Sequence, residues 1–184
     1  SGGGVWCEGG ALTRNVIYGN SADEYGGGIR GGDATILENT ITGNTAGGHG
    51  GGVHGGRAIR YNAISGNTAG GDGAGVYCAY GTIANNTIAT NSAAVCGGGI
   101  YCFGSQDGIV VANNAVVGNT ACQGAGIYCN GVSDLEILNN TVAHNTVGQS
   151  CQNPCGGIWL SSCPGALVAN CIVSENAGAG IGRQ

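Results

Sequence analysis

The stretch GGGIRGGDATILENTITGNTAGGH, residues 26–49, decides the fold. It sets Ile29, Ile36 and Ile41 in short segments separated by glycine or asparagine, and it contains no 3.6-residue apolar stripe long enough for a helix. β-Branched residues dominate these segments, as strands prefer. The opening block G-[GA]-G-[IV] returns at Gly2, Gly50, Gly73, Gly97, Gly124 and Gly178, and as Cys155-Gly-Gly-Ile158. Successive starts lie 24, 24, 23, 24, 27, 31 and 23 residues apart, the mark of a repeat architecture.

Aligning the repeats gives three aliphatic columns. The first is Val5, Ile29, Val53, Val76, Ile100, Ile127, Ile158 and Ile181; the second is Leu12, Ile36, Ile59, Ile83, Val111, Ile137 and Leu167. The third, five residues on, is Ile17, Ile41, Ile64, Ile88, Val116, Val142 and Ile172. Three columns predict about seven three-faced coils of about 24 residues forming one all-β domain over residues 1–184, a parallel β-helix. At about 4.8 Å per rung the stack would be about 34 Å long. An asparagine between the second and third columns recurs as Asn15, Asn39, Asn62, Asn86, Asn114, Asn140 and Asn170, and predicts a structural amide ladder at a corner where asparagine tolerates left-handed backbone. A second asparagine column, Asn20, Asn44, Asn67, Asn91, Asn119 and Asn145, ends at Glu175.

Composition narrows the function. The chain has 41 glycines, 2 prolines, 8% charged residues and no lysine; the glycines lack the period of collagen, and the regular Ile and Val positions argue against disorder. Net charge is −5, and the five arginines are too scattered to track phosphates, so nucleic acid is not an expected partner. No apolar run reaches the length of a bilayer-spanning helix, about 18 residues. Ten cysteines without a CxxC pair or zinc spacing point to disulfides and hence to a secreted, extracellular or cell-surface chain. Cys7, Cys78, Cys96, Cys102, Cys122, Cys129, Cys151, Cys155, Cys163 and Cys171 are the candidates, with Cys78–Cys102 and Cys96–Cys122 as plausible pairs.

The GG[AG][ILV] motif, as Gly26 to Ile29, paired with [FI]xxN, as Ile41 to Asn44, resembles the right-handed parallel β-helix repeat proteins, the superfamily that includes pectate lyases. The pairing is also similar to repeats of polymorphic outer-membrane proteins and bacterial surface adhesins. The resemblance covers the whole chain and implies a fold more than a function. A pectate-type lyase would show clustered aspartates holding calcium beside a basic residue. Here the acids fall at varied positions, and only Asp107 and Asp134 occupy similar places in neighbouring coils, where they could bind calcium weakly. No cofactor is otherwise indicated. The three histidines sit in different parts of the coil, and no catalytic centre emerges.

Outward by strand alternation after the first column stand Trp6, Arg30, His54, Tyr77, Tyr101, Tyr128 and Trp159. The aromatic members could stack on sugar rings, contact another chain laterally, or stack on one another. Loops that wall a groove, which an enzyme would need, could come only from the long coils Gly97 to Gln123 and Gly124 to Pro154. The sequons at Asn85 and Asn139 permit N-glycosylation. The repeat begins at Gly2, Gly3, Gly4 and Val5 and ends in register at Gly178, Gly180 and Ile181, as expected if copies pair head to tail or, alternatively, if the sequence is a fragment of a longer surface protein. The leading expectation is therefore a non-catalytic extracellular structural subunit, a self-assembling and adhesin-like homopolymer. The alternative is a carbohydrate-binding or polysaccharide-degrading β-helix protein.

Overall fold

The computed structural model describes residues 2–104, 108–148 and 154–184. It is a solenoid of parallel strands in which the chain visits each sheet once per coil. The first sheet has eight strands, from Val5–Cys7 to Ala179–Arg183, in chain order. The second has seven strands, from Ala11–Thr13 to Leu167–Ala169, and the third has seven, from Val16–Tyr18 to Ile172–Ser174. Register is held by the columns: Ile59 pairs with Ile36 and Ile83, and Ile64 with Ile41 and Ile88. These side chains have no solvent exposure or almost none, and they form one continuous apolar core along the axis.

Three faces are not the whole cross-section. A fourth sheet of six two-residue strands, from Ser21–Ala22 to Thr146–Val147, follows the second asparagine column. Its alanines face inward, and Ala69, Ala93 and Ala121 pack with Ala74 and Ala125 in a small separate cluster. Two residues per coil carry too little periodicity to be read as a strand, which is why the expectation stopped at three.

The glycine block is explained by crowding. Gly26, Gly50, Gly73, Gly97 and Gly124 have φ between 51° and 69°, left-handed backbone that costs glycine least. Two residues on, a Cβ on Gly52 would lie 2.7 Å from Gly75 O and 3.0 Å from the Asn67 amide nitrogen, so only hydrogen fits between rungs.

Both asparagine columns are buried ladders. In the second, the Asn44 backbone N–H and Nδ2 both donate to Asn67 Oδ1 at 2.9 and 3.0 Å, while Nδ2 also donates to Ile17 O at 3.0 Å. Each amide thus satisfies a carbonyl and an N–H of the preceding coil and donates its other N–H to the amide of the next, as burial demands. The left-handed residue is not the asparagine but the one before it: Arg14, Glu38, Tyr61, Asn85, Asn113 and Asn139 all have φ between 56° and 58° or, for Tyr61, 55°. The ladders also end differently from the expectation. Asn176, not Glu175, accepts from Asn145 at 2.9 Å, so the second column continues into the last coil. In the first, the position after Asn140 belongs to Cys171, and Asn170 is the exposed left-handed residue preceding it. In the last coil Ile158 pairs with Ile127 as expected, but the second and third columns run one residue later: Val168 pairs with Ile137 and Val173 with Val142, leaving Leu167 49% and Ile172 62% exposed.

Disulfide stabilisation is also corrected. Cys7, Cys78, Cys96, Cys102, Cys129, Cys155, Cys163 and Cys171 are free thiols. Cys78 and Cys102 are paired in register, yet their sulfurs stand 3.5 Å apart, beyond the roughly 2.05 Å of an S–S bond. Side chains on adjacent in-register rungs point the same way, so bonding would require the rungs to pinch. Cys96, being free, does not bond Cys122, which is not one of these thiols, and Cys151 lies outside the described residues.

Candidate functional site

The outward stripe on the first sheet is mostly a stack of rings upon one another. Tyr77 lies parallel to Tyr101 with centroids 5.1 Å apart, and Tyr101 to Tyr128 at 5.2 Å, each pair within 3° of coplanar orientation. The other face of Tyr77 meets His54 at 4.9 Å and His49 at 4.8 Å. With both faces covered, Tyr77 and Tyr101 cannot stack on a sugar; Tyr128 is 9% exposed. Trp159, at the far end, is half-buried. Trp6 differs: it is 62% exposed, with the Arg30 guanidinium 5.7 Å from its ring and equally far from Tyr25.

Where the stripe borders the turn to the second sheet, a cleft of about 410 Å³ opens. Its floor is Gly31, Gly32 and Gly55, where two successive coils lack side chains. It is also lined by Trp6, Arg30, His54, Tyr77, Tyr80 and Phe103, the last with its ring 4.9 Å from that of Tyr77, and by Glu8 and Asp33. A second, more polar cleft of about 720 Å³ shares Asp33 and Tyr80 with the first and adds Arg57, Asp134 and Glu136 on the second sheet. The two clefts adjoin at Asp33 and Tyr80.

Electrostatics follow burial. His54 is pushed down to about 4, first by burial and then by the charges of Arg30 and His49, so it is neutral at physiological pH. Burial raises Tyr77 and lifts Tyr101 to about 12. Tyr80 is raised first by burial and then by the neighbouring Asp33 carboxylate. Outside the cleft, Asp72 takes the Cys96 N–H at 3.0 Å and lies 3.4 Å from His49 Nδ1, its carboxyl raised by burial. Arg30 forms no ion pair among the described residues.

The remaining sequence candidates are placed as follows. Asn85 and Asn139 are exposed at equivalent corners two coils apart. Gly3 and Gly4 donate N–H groups to Gly26 O and Gly27 O, and Gly180 and Ile181 lie on the last strand of the first sheet. Asp107 lies outside the described residues, so its relation to Asp134 is not described. Among the described residues no group of three or more His, Cys, Asp or Glu is arranged to hold a metal ion. Among the described residues no helix is long and apolar enough to cross a membrane. Sequence reasoning missed the cleft because Tyr80 and Phe103 occupy no repeating column. The available signal was Gly31-Gly32 and Gly55-Gly56 standing where a later coil has Cys102-Phe103.

The family model described as right handed beta helix region matches residues 28–182, and the chain belongs to that family. No curated protein and no solved structure matches it. The parallel β-helix repeat fold is thereby shown, and the fold occurs in enzymes and non-enzymes alike.

Proposed function

We propose that this chain is a non-catalytic, extracellular glycan-binding module whose ligand lies in the groove from Trp6 to Tyr80. One observation carries the reading: in a chain with 8% charged residues, the cleft gathers Glu8, Arg30 and Asp33 around the ring surfaces of Trp6, Tyr80 and Phe103 over bare glycine backbone. Ring faces bind the apolar faces of pyranoses, and the carboxylates and guanidinium match hydroxyls. A polysaccharide array followed by calorimetry tests this. Trp6→Ala and Tyr80→Ala should each weaken the best ligand at least tenfold, while Tyr128→Ala, whose ring is spent in the internal stack, should leave affinity unchanged. No binding to any neutral or acidic polysaccharide would end this reading.

A second reading is head-to-tail stacking into a filament, for which the in-register parallel pairing of successive coils is the pattern. Negative-stain microscopy separates the two: filaments with a repeat of about 34 Å would support stacking, and dispersed short rods would dismiss it.

A further inference from the structure

We propose that the stacked thiols Cys78 and Cys102, with Cys129 one rung further on, form a site for a soft, two-coordinate metal cation of the Hg(II) type. Cys78 pairs in register with Cys102, and Cys102 with Cys129, all three at 1% exposure or less and none bonded to another sulfur. The geometry is unsuited to a disulfide and suited to a linear bridge. Two metal–sulfur bonds of about 2.3 Å laid end to end need sulfurs about 4.6 Å apart. In-register side chains sharing a rotamer place their sulfurs near the rung spacing of about 4.8 Å, and the present 3.5 Å reaches that value by a small side-chain rotation.

Charge points the same way. The core that surrounds these thiols is aliphatic, so a lone thiolate is disfavoured there. A divalent cation between two thiolates is a neutral unit that an apolar core accepts. Two S–H bonds break, two metal–sulfur bonds form, and two protons leave to solvent. Thiol donors favour soft cations over hard ones, and a tetrahedral zinc site is excluded because no three His, Cys, Asp or Glu among the described residues stand together to hold a metal. Cys102, shared by both neighbouring pairs, is the one sulfur the site cannot lose.

The test uses the folded chain with its partly exposed thiols, Cys7 and Cys171, first blocked by a bulky alkylating reagent. Titration with Hg(II) alone should then load one ion on the Cys78–Cys102–Cys129 column beyond any held by the free thiols Cys96, Cys155 and Cys163, located by fragment mapping in native mass spectrometry and read by the ultraviolet thiolate–metal band, with two protons released. Cys102→Ala should lower affinity at least 100-fold. Cys78→Ala or Cys129→Ala alone should retain one ion, and the double variant should lose it as Cys102→Ala does, which separates loss of the site from a folding defect at one position. Failure of the wild type to load, or loading that survives both Cys102→Ala and the double variant, would overturn the proposal.

Discussion

Replacing Asn67 by alanine removes the centre of the second ladder, and the cost can be worked from its contacts. Asn67 Oδ1 accepts the Asn44 N–H at 2.9 Å, and Nδ2 donates to Ile41 O at 3.0 Å and to Asn91 Oδ1 at 2.9 Å. Asn91 Oδ1 keeps the Asn67 backbone N–H at 3.0 Å, and the Asn44 amide keeps Ile17 O, so neither is stranded. The Asn44 N–H and Ile41 O lose these partners in a fully buried corner. At about 1–3 kcal/mol for each orphaned group, the loss is about 2–6 kcal/mol. Asn20 gives the contrast, since it is partly exposed and its Oδ1 accepts from no described neighbour, so Asn20→Ala should cost about 1 kcal/mol or less. Asn67→Asp should be at least as damaging as alanine, because an oxygen then faces two acceptors and a buried charge is added. Denaturant unfolding followed by circular dichroism measures all three. Equal midpoints for Asn67→Ala and Asn20→Ala would refute the view that the buried amides hold the corners.

Other expectations are as specific. His54 titrates near 4 when folded against an ordinary 6.5, so the unfolded chain binds a proton the folded one refuses, and stability should fall as pH drops from 6.5 to 4. That gap corresponds to about 3 kcal/mol, trimmed to about 2 by partial exposure. Burial-raised Asp72 works in the opposite sense, so the comparison to make is the pH profile of wild type with that of His54→Gln, which should be flatter; parallel profiles would dismiss the assignment. Gly52→Ala should destabilise by about 3 kcal/mol or prevent folding, since its Cβ meets the Gly75 carbonyl oxygen and the buried, hydrogen-bonded Asn67 amide; a thermal midpoint within 2 °C of wild type would contradict the crowding argument. Native-state alkylation with mass mapping should modify Cys7 and Cys171 while leaving Cys78, Cys102 and Cys129 untouched until denaturant is added.

Much of the fold was legible because a solenoid repeats its own evidence. Ile29, Ile36 and Ile41 recur coil after coil, and an error in one coil is corrected by the others. Where the repetition is thin, reading failed for identifiable reasons. In the last coil both Leu167 and Val168, and both Ile172 and Val173, are aliphatic, so only backbone pairing reveals which faces the core. The two-residue strands hide because an inward alanine beside an outward serine or threonine looks like loop. Cysteine count and spacing suggested bonds that the 3.5 Å sulfur separation denies, since a rung spacing brings thiols near without turning them toward each other. The groove was the hardest feature to anticipate, being made by glycines that are missing side chains and by Tyr80 and Phe103, which belong to no column.

The two asparagine ladders also give the rod a direction. From Asn20 to Asn176 each carboxamide turns its oxygen toward the N-terminal end and an N–H toward the C-terminal end. Backbone dipoles within a sheet largely cancel, whereas side-chain amides aligned in file add along the axis. The molecule is thus an electret in miniature, its carbonyl-bearing end favouring donors and cations and its opposite end favouring acceptors and anions.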